Sequence, residues 1–73
     1  MIEEMKKFRE QIRTNIAELK AIKDKNYHEL YNNGDLRYVE EISRSLYVSA
    51  ANVATFIEHI STSLDMTKTE THN

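Results

Sequence analysis

The chain of 73 residues contains one glycine, Gly34, and no proline. The residues that most readily interrupt a helix are thus confined to one place, "YNNGDLRY" at residues 31–38. There Asn and Gly favour the left-handed backbone that ends a helix, and Asp35 is a preferred N-cap for the next. A stop followed at once by a start predicts two helices folded back on each other.

The patterns on either side agree. Ile2, Met5, Phe8, Ile12, Ile16, Leu19 and Ile22 recur at steps of three and four and lay one broad apolar stripe along a helix. Tyr27, Leu30 and Tyr31 continue that face through "KDKNYHEL", which extends the first helix to about Asn33. After the turn, Leu36, Val39, Ser43, Leu46, Ala50, Val53, Ile57, Ile60 and Leu64 alternate the same steps without a break, a heptad seam. The expected fold is all-α, an antiparallel two-helix hairpin with helices over about 2–33 and 35–65. Residues 1–65 form a single helical-hairpin domain, and the polar stretch 66–73 is expected to be a disordered tail.

A chain this short permits one domain and struggles to bury a core that offsets its conformational entropy. With no cysteine there is neither a disulfide framework nor a thiolate metal site to help. Help must then come from a partner chain. The start, "MIEEMKKFRE", places charges where a signal peptide needs an apolar run, and no stretch approaches the roughly 18 apolar residues of a membrane span. The expectation is a soluble, cytoplasmic protein with no membrane partner. A net charge of -2 and a pI near 5.9 give no general attraction to nucleic acid. Residues 1–33 carry seven Lys/Arg against six Asp/Glu, whereas residues 34–73 carry three against six, so the second half is acidic.

A competing motif runs through the second half. "VEEISRSLYVSAANVATFI" also fits a helix-turn-helix, which would make the chain a small transcriptional regulator or a phage-type antirepressor. Three physical objections count against it. The turn position usually given to glycine holds Tyr47, and a bulky residue at positive φ costs roughly 1 kcal/mol or more. The recognition helix would be "SAANVATFIEH", which has no Arg or Lys to contact phosphate or guanine. The seam also passes through Leu46, Ala50 and Val53 in step, where a turn between crossing helices would disrupt it.

Catalytic chemistry is not evident. His28, His59 and His72 are scattered without metal-ligand spacing, and the chain lacks a nucleophile elbow and a phosphate-binding glycine loop. The acidic neighbours Glu3 and Glu4, and Glu40 and Glu41, point about 100° apart on a helix and do not converge on one substrate atom. The four tyrosines suit rim and interface positions, giving apolar area with a polar tip. The reading is a non-enzyme with no catalytic, cofactor-binding or metal-binding residues.

The apolar faces are wider than a two-position seam needs. Phe8 and Ile22 sit beside the first seam; Ile42, Tyr47, Ala54 and Phe56 sit beside the second. Leaving them wet forfeits several kcal/mol at about 25 cal/mol per Å². The extra face is therefore expected to dock on another helical protein. The residues expected on it are Phe8, Ile12, Ile22, Tyr47, Ala51, Ala54 and Phe56, with Leu46, Val53, Ile57 and Ile60 holding the hairpin together. A homodimeric four-helix bundle when the chain is alone covers the same face equally well.

In overall length, in "AELKAIKDKNYHELYNNGDLRYVEEISRSL" with its polar turn near mid-chain, and in the small-residue-rich "VSAANVATFIEHISTSL", the chain resembles a known family. This is the small subunit of type III secretion needle cochaperone pairs, the YscE/PscE/SsaE/EscE kind, and the likeness covers roughly residues 5–64. The family's turn often carries consecutive glycines, whereas here Asn33 precedes Gly34. The resemblance implies a cytoplasmic bacterial protein without catalytic activity. Its partner would be a larger helical-repeat cochaperone, and the pair would keep a self-polymerising needle subunit soluble until export.

Overall fold

The computed structural model describes residues 1–63 in full and, beyond them, only the helical backbone to His72; the side-chain statements that follow concern residues 1–63. The expected tail at 66–73 and the seam position Leu64 lie outside them. Three helices follow in order: α1 (Ile2–Lys25), α2 (Tyr27–Asn32) and α3 (Leu36–His72). The two long helices, α1 and α3, pack against each other as an antiparallel hairpin, and α2 is a short connecting helix between them. The shape is a rod. The radius of gyration is 18.1 Å, where a compact chain of this length has about 11 Å.

The turn is closed by backbone alone. Gly34 adopts φ 72°, and no residue other than glycine has positive φ among those described. Its N–H donates to the Tyr31 carbonyl (3.2 Å), and the Asp35 N–H donates to the Leu30 carbonyl (2.9 Å). This pair is the Schellman arrangement, which satisfies carbonyls that a helix end leaves without partners. Asp35 contributes its main chain to the next helix: its carbonyl accepts from the Tyr38 N–H at 3.0 Å. The side-chain cap expected of it is not formed among the described residues.

The first helix does not run unbroken to Asn33. It ends at Lys25, with Asn26 at φ −112° and ψ 20°. The Asn26 N–H (3.0 Å) and its side-chain Nδ2 (2.8 Å) both donate to the Ile22 carbonyl. A short amide that can bond the backbone locally competes with regular helix geometry. The Leu30 N–H donates to the Asn26 carbonyl (3.0 Å), so helical bonding resumes one residue later and α2 continues the rod.

Burial marks out the seam. On the first half of the chain the buried or half-buried residues are Ile2, Met5, Arg9, Ile12, Ile16, Leu19, Lys23, Asn26 and Leu30. On α3 they are Leu36, Val39, Ser43, Leu46, Ala50, Val53, Ile57 and Ile60, together with Ala54 and Ser61. Both series keep to steps of three and four, the a and d positions of a heptad. Antiparallel register follows from who meets whom: Ile2 shares a groove with Ile60, and Ile16, Leu19 and Lys23 share another with Val39 and Ser43.

The first seam departs from the apolar stripe at two places. Arg9 and Lys23 take the inward positions, and their apolar neighbours Phe8 and Ile22 stand beside them, exposed. Long cationic side chains tolerate this, because their methylene stems can cover apolar surface while the charged end reaches outward. Arg9 does so imperfectly, since its Nε is shut off from water without a hydrogen-bond partner.

A candidate protein-docking surface

Two side chains are buried among the described residues, Ile12 and Ile57, each 6% exposed. Ile12, expected on the docking face, therefore belongs to the interior of the hairpin and cannot reach a partner unless the helices separate. The ion pairs do nothing to join the helices. Glu3 with Lys6 (3.5 Å), Glu10 with Arg13 (2.6 Å) and Glu41 with Arg44 (3.2 Å) are all exposed pairs within one helix. Such pairs contribute little, so packing in the seam is what holds α1 to α3.

Counting outward from the seam separates the other expected docking residues into two groups. In an antiparallel pair the g positions of both helices fall on one side of the seam and the e positions on the other. The g side carries Phe8, Asn15 and Ile22 from α1 and Ile42, Ser49 and Phe56 from α3. Phe8 is 49% exposed, Ile22 54%, Ile42 52% and Phe56 40%, so four large apolar side chains stand on one flank in water. The e side carries Lys6, Arg13 and Lys20 from α1 and Glu40, Tyr47 and Ala54 from α3. Lys20 and Tyr47 line a common groove there.

The structure thus gathers Phe8, Ile22 and Phe56, adds Ile42 to them, and places Tyr47 and Ala54 on the opposite flank. Ala51 is exposed and lies further round α3, next to the e side. Ile42 was visible in the sequence as a residue beside the second seam. What ranked it with Phe56 and apart from Tyr47 is the seam's register through Ser43, Leu46 and Ala50.

The surface can bury apolar area and offers little else. No group of metal-ligating side chains gathers among the described residues, and no helix among them is long and apolar enough to cross a membrane. Neither a family model nor a curated protein nor a solved structure matches the chain. The class that the fold defines is a small all-helical protein with two long helices packed antiparallel.

Proposed function

We propose that the chain is a non-enzymatic adaptor whose apolar flank packs on another helical protein. Its most specific form is the one the sequence resemblance suggests. The partner is a larger helical-repeat cochaperone, and the pair keeps a self-polymerising type III secretion needle subunit soluble in the cytoplasm before export. The observation that carries the reading is the imbalance between a core of two buried side chains and a flank of four exposed large ones. The mechanism is burial: apolar helix faces that would drive premature assembly are covered by other apolar helix faces until the client leaves.

The alternative as a helix-turn-helix regulator needs a corner at residues 47–49, and α3 runs straight through them. No observation favours it.

The test is capture with the tagged full chain, in parallel with the Phe56→Glu variant. Recovery of a helical-repeat protein by the unmodified chain and its loss with the variant is expected. Addition of that partner should also raise the melting temperature, because a ligand that binds only the folded state stabilises it. Equal recovery by both forms, or a captured protein of another class, would overturn the reading.

A further inference from the structure

We infer that, in the absence of its partner, the apolar flank is closed by a second copy of this chain, with the two hairpins antiparallel and their turns at opposite ends. The inference rests on the flank being an interface but not on the identity of the partner. Its basis is the spacing of the flank. Phe8 and Ile22 lie equally far on either side of Asn15, and Phe56 and Ile42 lie equally far on either side of Ser49. A two-fold axis at the Asn15–Ser49 level, running across the helices, therefore sets the Phe8/Phe56 level of one copy on the Ile22/Ile42 level of the other. Large then meets smaller at both ends, the condition for interdigitated packing, and the polar pair meets itself at the centre.

Charge supports the same occupant. At the rim, the same axis brings Glu4 of one copy near Lys25 of the other. Docking through the e side would instead centre on Arg13 and oppose it to its own copy, with Lys6 and Lys20 flanking it, a like-charge juxtaposition. Self-association through the g side is thus open and through the e side opposed.

The experiment uses the full chain, with sedimentation equilibrium from micromolar to hundreds of micromolar and single-cysteine variants treated with a thiol oxidant. Expected are a species of twice 8.6 kDa, rapid disulfide formation by Asn15→Cys, and none above the diffusional background by Arg13→Cys. Phe56→Glu is expected to weaken the dimer at least about 100-fold, as for a central aromatic at an interface, with its circular dichroism retained. A monomer throughout, or preferential cross-linking through Arg13→Cys, overturns the inference. A monomer would leave the adaptor reading standing, since capture tests that separately. A persistent dimer that captures nothing would do the reverse.

Discussion

On one flank of the hairpin the positions next to the seam hold Phe8, Ile22, Ile42 and Phe56; on the other they hold Lys6, Arg13, Lys20 and Glu40 beside Tyr47 and Ala54. Both flanks are the same distance from the same seam, and both are exposed at every one of these positions but Ala54. Their chemistry differs. An exposed apolar row on a chain this short would invite association from every side if it encircled the rod. Tyr47 and Val48 also stand exposed on the other face of α3, but only the g side carries large apolar side chains from both helices without a cation among them, so burial is more favourable there.

The comparison breaks most visibly if the apolar flank is charged. Phe56→Glu should reduce partner affinity by about 100-fold or more, since a carboxylate at a buried aromatic site loses area and leaves a charge unpaired. Tyr47→Glu on the other flank should change it by less than about threefold, in the range of rim positions. Titration calorimetry with the captured partner measures both. Equal losses would mean that the two flanks act as one surface.

The next effect belongs to the seam that both flanks share. Ile57→Ala should destabilise the hairpin by about 2–4 kcal/mol, a usual range for truncating a buried isoleucine. With a core of two buried side chains, that loss should lower helicity at ambient temperature. Phe56→Ala, one residue away, should leave most of it. Circular dichroism of the pair separates interior from flank, and similar melting curves for the two would put Phe56 inside.

Much of this arrangement was legible in the residue order. The turn at Gly34 and the whole of the α3 seam to Ile60 follow from one glycine and an unbroken three-four alternation. The first seam was harder, because reading by apolarity selects Phe8 and Ile22, whereas the inward positions are Arg9 and Lys23. Sequence reports the nature of a side chain; which of two neighbours faces inward was set by a constant step along the whole helix and by the partner it had to match. The interruption at Asn26 was hidden for a different reason. It depends on a side-chain bond to the Ile22 carbonyl, and nothing in "KDKNYHEL" distinguishes that asparagine from one turned to solvent.

The misplaced cation offers a third, smaller test. Arg9 holds a seam position with its Nε buried and unpartnered. Arg9→Leu should raise stability by about 1 kcal/mol, because it removes an unsatisfied donor and adds apolar burial. Chemical denaturation should show the gain without a change in affinity through the apolar flank. A destabilised variant would show that the stem of Arg9 contributes more packing than its head forfeits.

The smallest change concerns the turn. A Cβ at Gly34 would meet nothing within 4 Å, so only the backbone objects: φ of 72° is left-handed. Gly34→Ala should therefore cost about 1 kcal/mol, and a synthetic chain carrying D-alanine there should gain about 0.4–1 kcal/mol by restricting the unfolded state. Thermal melts of the two chains read the sign. Neither change touches the seam, so neither should alter which flank binds. If the D-alanine chain were more stable yet bound through the cationic flank, register would be set by the turn and not by the steps of three and four along α1 and α3.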